Sequence, residues 1–311
     1  GSVRARYWDE ALRIFADNPV HGVGAGGFAT VRKRYRTADG AVRTAHGYVV
    51  QTLADLGLAG LAVSLALLAA WLASAAAATG LRRRDRVRGH SPERIGLLTL
   101  VATVVVFGVH SLIDWTWFVP ANAAVALLAA GWIAGRGPLG ATPRRTHGSL
   151  AERLRAGIAE RPRAISAAAV ALLALLATWT AWQPLRSDDA GQQALAALER
   201  GDVAAARADA QTAHDLNPLA VDPLLKLAQI EARAGNRQPQ ARGALQAAVR
   251  LQPANPEPWI QLATFELQEG HPQAAVTASR RAVYLDPRSA RPLGVFLQAR
   301  KQIAAASAPT K

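Results

Sequence analysis

The chain has 311 residues, half of them hydrophobic, with no cysteine and a net charge of +14. Without cysteine, neither a disulfide framework nor a cysteine-ligated metal site can form. The positive charge would suit a nucleic-acid-binding protein, but residues 1–185 hold 21 Lys and Arg against 10 acidic residues, whereas residues 186–311 hold 15 against 12. The excess lies between long apolar segments, as in membrane-protein loops. We therefore predict no nucleic-acid partner.

Residues 6–19 predict an amphipathic helix, because Trp8, Leu12 and Phe15 recur at helical spacing. The glycine-rich sequence GVGAGG follows at 22–27. A dinucleotide-binding fold would place a buried strand before the glycines, and a phosphate-binding P-loop would end in Lys-Ser/Thr. This segment has neither feature, so we predict that its glycines form a tight turn rather than a nucleotide site.

Five cations follow the glycines closely in sequence: Arg32, Lys33, Arg34, Arg36 and Arg43. Such a run can be a solvated positive face or a topology signal. Arginine also matches phosphate through two parallel hydrogen bonds. We predict that these cations hold a diphosphate at a membrane surface, in a basic extracytoplasmic loop over 1–52.

The segment 44–61 predicts a helix that runs into the first membrane span, with His46 and Gly57 on one face. A lone histidine is more often structural than catalytic. Here, however, the neighbouring positive charge favours the neutral imidazole that a general base requires. Gly57 and Gly60 are predicted to be helix-packing contacts.

Apolar segments predict four membrane-spanning helices, at 56–79, 95–112, 119–135 and 164–182. The segment 81–94 holds six arginines and 136–163 holds seven, whereas 113–118 holds none. Because cytoplasmic loops collect Lys and Arg, the two arginine-rich segments are expected to face the cytoplasm. Everything after residue 183 is then extracytoplasmic, and the chain is predicted to be a multi-pass protein of a bacterial inner membrane.

His110 and Asp114 lie four residues apart at the outer end of the second predicted span. An ionisable residue near membrane depth is a functional candidate by default. The alternative is an interfacial pair at a helix end.

The last part of the chain, 186–311, has an internal repeat. The sequences LNP, LQP and LDP recur at spacings of 35 and 34 residues, and Gly201, Gly235 and Gly270 recur at 34 and 35. This period is the signature of tetratricopeptide repeats. We predict three repeats over 188–287, a capping helix over 289–305, and a concave surface that binds a protein partner.

Residues 1 to about 135 resemble the O-antigen ligase/polymerase family (Wzy/WaaL type) of membrane glycosyltransferases. The resemblance lies in Arg4 with Trp8, in the turn from Asp17 to Phe28, in the helix from His46 to Gly60, and in HSLIDW at 110–115. Gly47 departs from the usual Asn or Ser. The N-terminal spans of that family are missing, so we expect this chain to be an incomplete fragment.

From the apolar segments, the repeat and the resemblance together, we predict an all-α fold, with a partial polytopic membrane domain over 53–135 and an α-solenoid of about three tetratricopeptide repeats. The resemblance implies an enzyme without metal or other cofactor, whose donor is an undecaprenyl-diphosphate-linked glycan and whose acceptor is a hydroxyl of a glycan or a lipid-linked sugar. By resemblance, Arg4, Arg36 and Arg43 would bind the diphosphate and His46 would be the catalytic base. Asp114 and His110 are candidate substrate contacts.

Three alternatives remain open at this stage. Ligases and polymerases of the family share these motifs. A non-catalytic scaffold could use the membrane helices as an anchor for the repeats, with the basic loop binding anionic lipid. A transporter for lipid-linked glycans would require charges within the spans, and those present are almost free of charge.

Overall fold

The computed structural model describes residues 3–81, 91–139, 150–235 and 237–307, with only the backbone for 150–164. Within these ranges the chain forms α-helices, one short 3₁₀ helix and no strand, which confirms the predicted all-α class. The chain divides into two compact units, Gly1–Pro143 and Arg144–Lys311. Most of the arginine-rich segment 81–94, and residues 140–149 of the second one, lie outside the described residues.

Over its described residues the first unit forms five α-helices and a 3₁₀ helix at Thr116–Phe118. The α-helices are α1 (Val3–Asp17), α2 (Phe28–Tyr35), α3 (Tyr48–Ala78), α4 (Pro92–Ile113) and α5 (Pro120–Arg136). A small core joins α1, α2 and the start of α3. The predicted apolar face of α1 is partly wrong. Ala11 and Ile14 are buried in that core, whereas Leu12 is exposed.

The glycine loop docks onto a break in α3. At Gly57 the backbone leaves the helix, with φ of 63°, and the amides of Leu58 and Ala59 donate to the carbonyls of Pro19 and Val20. A Cβ on Gly57 would lie 2.5 Å from the carbonyl carbon of Val20. Gly57 therefore provides the space for the loop, and its predicted role as a helix-packing contact is wrong.

The loop approaches α3 equally closely from its own side. A Cβ on Gly22 would lie 2.4 Å from the carbonyl carbon of Asp55, while the amides of Val23 and Gly24 donate to the carbonyls of Ala54 and Asp55. Helix carbonyls near a break lack their usual partners, so the loop satisfies them. The predicted turn is confirmed.

Among the residues with described side chains, three helices are long and apolar enough to span a membrane: α3, α4 and the segment Ile165–Glu199. The fourth predicted span, at 119–135, coincides with α5, which has 17 residues. At about 1.5 Å per residue, α5 is about 25 Å long, a little less than a hydrocarbon core of about 30 Å. Location in a membrane therefore stays a prediction.

In the part of the second unit that the structure describes there are seven helices: α6 (Leu150–Glu199), α7 (Val203–Leu216), α8 (Asp222–Arg233), α9 (Gln238–Leu251), α10 (Pro256–Gln268), α11 (Pro272–Leu285) and α12 (Ala290–Ala306). Helix α6 is continuous over 50 residues. The sequence boundaries at 163, 182 and 186 all fall inside it, so the last predicted span leads directly into the first repeat.

The end of α6 packs on α7, α8 packs on α9, and α10 packs on α11. Each pair turns at a glycine with positive φ, at Gly201, Gly235 and Gly270. Small alanines are buried where the paired helices approach, and α12 covers the last pair. The second unit thus has the tetratricopeptide architecture that the 34- to 35-residue period predicts.

Equivalent ion pairs mark the repeats. Arg207 Nε lies 2.6 Å from Glu231 Oε1, and Arg242 Nε lies 2.7 Å from Glu266 Oε1. In both pairs a second guanidinium nitrogen bonds the other carboxylate oxygen. The glutamates are buried, and these carboxylates raise the pKa of their arginines. The fork geometry therefore stabilises two successive repeats in the same way.

Candidate functional site

His46 lies in a loop two residues before α3 begins, so the prediction that it shares a helix face with Gly57 is wrong. Its φ is 54°, a left-handed conformation unusual for a residue with a side chain, which costs about 1–3 kcal/mol and persists only where the surroundings impose it. The indole Nε1 of Trp8 donates to the carbonyl of His46 at 3.3 Å. The imidazole stacks on Tyr7 and meets the edge of Trp115, with centroid distances of 5.8 and 6.0 Å.

Asp114 links three segments of the first unit. It follows the last residue of α4, and its Oδ1 accepts the amide of Trp115 at 2.8 Å. The same oxygen lies 3.5 Å from Nδ1 of His46. Its Oδ2 lies 3.2 Å from Nη2 of Arg4, whose Nη1 donates to the carbonyl of Ile113 at 3.2 Å. The structure thus brings together three predicted residues, Arg4, His46 and Asp114, which we call the His–Asp–Arg cluster.

The pKa of Asp114 is lowered, first by the hydrogen bond from the Trp115 amide and then by His46 and Arg4. The carboxylate is therefore ionised at neutral pH and can accept a proton-bearing Nδ1. In that tautomer the Nε2 of His46 presents its lone pair, and Nε2 has no hydrogen-bond partner within the described part of the chain. The His46 side chain is 28% exposed, so the imidazole is partly accessible to solvent.

The lack of a side chain at Gly47 has a steric reason. A Cβ at this position would lie 3.0 Å from Nε1 of Trp8 and 3.1 Å from the carbonyl oxygen of Leu112. The absence of a side chain lets Trp8 and the end of α4 approach the loop that carries His46. This close approach places the three segments of the His–Asp–Arg cluster side by side.

His110 is placed differently from its predicted partner. Its Nδ1 lies 3.5 Å from the hydroxyl of Thr116, and its carbonyl accepts the amide of Asp114 as part of the helix end. The imidazole of His110 therefore interacts with the 3₁₀ turn, whereas the carboxylate of Asp114 interacts with His46 and Arg4.

The five clustered cations have different partners. Arg32 is buried and its Nε lies 2.5 Å from Oε2 of the buried Glu10. Arg34 lies 3.6 Å from Asp17, and Arg36 lies 3.8 Å from Asp39, which is 75% exposed. Lys33 and Arg43 have no acidic partner among the residues that the structure describes. The five cations are close in sequence but do not share one role, because Arg32 is buried in an ion pair and Arg34 lies beside Asp17.

A groove of about 450 Å³ lies between α2 and residues 40–43. Its walls include Lys33, Arg36 and Arg43, and we call it the basic groove. Two of the predicted diphosphate ligands, Arg36 and Arg43, thus share one surface, while the third, Arg4, belongs to the His–Asp–Arg cluster. Within the described ranges, no group of three or more His, Asp or Glu residues could hold a metal ion.

Sequence reasoning missed two buried acids. Glu10 lies on the core-facing side of α1. The one sequence feature that could have indicated its burial is its position at the helical spacing of that face. Asp55 accepts the amides of Gly26 and Phe28 and the side-chain amide of Gln51. Asp55 is therefore a structural residue that fixes the start of α2.

Comparison with protein-family models gives no match, and comparison with curated protein sequences gives none either. The resemblance to O-antigen ligases therefore has no support from either comparison and stays a hypothesis.

Similar solved structures match only about two fifths of the chain. The tetratricopeptide domain of Aspergillus fumigatus Sgt2 has 17% identity and a TM-score of 0.36, covering 40% of this chain and 86% of that one. The Arabidopsis OM64 domain has 17% identity and a TM-score of 0.34, covering 38% and 98%. The second such domain of human RPAP3, in complex with an HSP70 peptide, has 12% identity and a TM-score of 0.34, covering 39% and 98%. The repeat architecture described above rests on the helix pairs themselves.

Proposed function

We propose that the protein is an O-antigen ligase-like membrane glycosyltransferase. It would transfer a glycan from an undecaprenyl-diphosphate donor to a sugar hydroxyl, in the synthesis of cell-surface polysaccharide. The observation that carries this proposal is the His–Asp–Arg cluster at the end of a helix that is long and apolar enough to span a membrane. A polymerase of the same family would use the same cluster.

The cluster supplies the parts that such a transfer needs. Asp114 holds the imidazole of His46 so that Nε2 faces the acceptor, and Nε2 takes the proton of the attacking hydroxyl as a general base. The hydroxyl oxygen forms the new bond to the anomeric carbon of the donor sugar. The bond from that carbon to the diphosphate oxygen breaks, and its electron pair leaves with the diphosphate.

Arginine is suited to the leaving group because it stays charged and binds phosphate with two hydrogen bonds. Arg4 is half exposed and uses two of its five N–H groups on Asp114 and Ile113. It would therefore stabilise the negative charge that develops on the diphosphate. Arg36 and Arg43 would bind the donor through the basic groove. The proposed place of this site is the extracytoplasmic side of a bacterial inner membrane.

The test is glycan transfer by the intact protein with His46→Ala. We expect the variant to insert normally and to lose transfer by about two to four orders of magnitude, the usual contribution of a general base. His21→Ala is the matched control, because it removes an exposed imidazole of the same unit that is not among the contacts of Asp114, and it should keep transfer. Normal transfer by His46→Ala would remove His46 from the mechanism.

Arg36→Ala tests the donor side. The KM for the lipid-linked donor should rise about tenfold, the value of one charge-assisted hydrogen bond, while the KM for the acceptor stays the same. An unchanged donor KM would contradict a diphosphate role for Arg36.

The repeats of the second unit favour a second function. Three helix pairs, joined by two equivalent ion pairs and followed by a capping helix, form a surface suited to a protein partner. A scaffold for envelope assembly would need these repeats and not His46. Removal of α7–α12 distinguishes the two functions. If the protein is the enzyme, the shortened chain should still transfer glycan between purified substrates. If it is a scaffold, the shortened chain should no longer affect the surface polysaccharide of cells, whether or not His46 is intact.

A further inference from the structure

The two ends of the second unit carry opposite charge. Its helices pack in chain order, so that α6 lies at one end and α12 at the other. Residues 187–216, which contain the first helix pair, hold six acidic residues against two arginines. Residues 270–307, which contain α11 and α12, hold six Lys and Arg against one acidic residue, the buried Asp286. This separation of charge lets one end of the unit attract the opposite end of another copy.

Helix α12 has an outer face that is both apolar and basic. Leu293 and Leu297 are 46% and 57% exposed, and Arg300 and Lys301 follow within one turn on the same side. Both cations are exposed and have no acidic partner among the residues that the structure describes. We call these four residues the cap face. A helix that closes a repeat array needs a polar outer face for solubility, so the two leucines indicate a surface that a partner covers. The opposite side of α12 packs on the last repeat through Val295, Phe296 and Ile303.

The outer side of α6 at the first repeat has the complementary chemistry. Leu185 is 64% exposed, and Asp188, Asp189 and Glu199 lie on the same side of the helix by their spacing. The three acids are exposed and have no basic partner within the described ranges. We call these four residues the edge face. The opposite side of α6 is buried in the first repeat at Ala194, Ala197 and Leu198.

We propose that the cap face of one copy docks on the edge face of a second copy, so that the second units associate head to tail. The cations of the cap face would then lie against the carboxylates of the edge face, and the leucines of both faces would leave water together. Contact between two cap faces would instead bring like charges together, which is unfavourable. A head-to-tail contact leaves one unused face of each kind, so association continues beyond the dimer unless the copies close into a ring. None of these residues belongs to the proposed transfer site, so the proposal is independent of glycan transfer.

The experiment is sedimentation velocity on the whole chain in a neutral detergent, at about 1 to about 100 μM protein and at about 50 mM and about 500 mM salt. The cap variant combines Arg300→Glu with Lys301→Glu, and the edge variant combines Asp188→Lys with Asp189→Lys. Wild type should form larger species as its concentration rises, and high salt should weaken this association. Each variant should associate at least about tenfold more weakly than wild type, because two attractive ion pairs become repulsive.

A control variant and a mixture of variants make the test specific. Arg233→Glu with Arg250→Glu reverses two exposed cations of the middle helix pair, which belong to neither face, and this variant should associate within about twofold of wild type. An equimolar mixture of the cap variant and the edge variant should recover the association that each lacks alone. In that mixture a reversed cap face can meet a reversed edge face, and the unchanged faces can meet each other. Recovery also shows that both variants are folded.

Four results would overturn the proposal. Wild type that stays monomeric up to about 100 μM has no such contact. Association of the cap variant or the edge variant like wild type would assign the contact to another surface. An equal loss in the control variant would mean that overall charge, and not these two faces, drives association. A mixture that does not recover would mean that the two faces do not meet each other.

Discussion

Asp114→Asn is the sharpest test of the His–Asp–Arg cluster, because it keeps the size of the side chain and removes its charge. When His46 takes a proton, the imidazolium lies 3.5 Å from the carboxylate. At an effective dielectric constant of about 20, two unit charges at about 3.5 Å interact by about 5 kcal/mol. Both side chains are partly exposed, at 28% and 22%, so solvent screens part of this energy. We expect a loss of about 2 kcal/mol.

That loss corresponds to a fall in kcat of about 30-fold. The donor KM should stay the same or fall, because Arg4 loses its carboxylate partner and becomes more available to the diphosphate. The assay is the initial rate of glycan transfer from a lipid-linked donor, with kcat and donor KM measured separately. Asp9→Asn is the control: it removes the same charge from α1, where Asp9 is exposed and pairs with Arg13.

The reasoning is refuted if Asp114→Asn keeps kcat within about twofold of wild type while Asp9→Asn behaves identically. It is also refuted if Asp114→Asn raises donor KM and leaves kcat unchanged. That pattern would place Asp114 in substrate binding and not behind the base.

The other predictions concern stability. The pKa of Asp114 is lowered in the folded chain, so its ionised form stabilises the fold fully above about pH 4, the ordinary pKa of an unfolded Asp, and this contribution is lost as the pH falls through the lowered pKa. The difference in unfolding temperature between wild type and Asp114→Asn should therefore shrink on acidification. A growing difference would contradict this reasoning. Gly57→Ala should destabilise the first unit by about 2 kcal/mol or more, because φ is positive at this residue and the new Cβ would collide with the carbonyl group of Val20. The control is Gly131→Ala, on a helix where a Cβ would have no atom within 4 Å. In detergent unfolding it should be neutral or stabilising by up to about 1 kcal/mol. In a double-mutant cycle with Arg207→Met and Glu231→Leu, the coupling energy should be about 1–3 kcal/mol, and a value near zero would remove the repeat ion pair from the stability of the second unit.

The second unit could be predicted from sequence because its determinants are local and repeated. Gly201 and its equivalents form the turns, and prolines end the helix pairs. Because these signals recur in every repeat, the prediction for one repeat supports the prediction for the next. The first unit depends on contacts between distant residues. Glu10 and Arg32 are 22 positions apart, and each alone reads as a solvated charge on its own helix. The left-handed backbone of His46 likewise depends on neighbours that no local pattern shows.

The His–Asp–Arg cluster and the basic groove both depend on the glycine loop at 22–27, although none of their charged residues belongs to that loop. Gly22 and Gly57 let the loop lock onto α3, and Asp55 then fixes the start of α2 through the amides of Gly26 and Phe28. The position of α2 sets the wall of the basic groove. The same α3 begins two residues after His46, so the docking of the glycine loop onto α3 brings α2 and the loop that carries the proposed base onto one helix. The glycines at 22–27 therefore act in folding, because they fix the position of α2, whose cations line one wall of the basic groove.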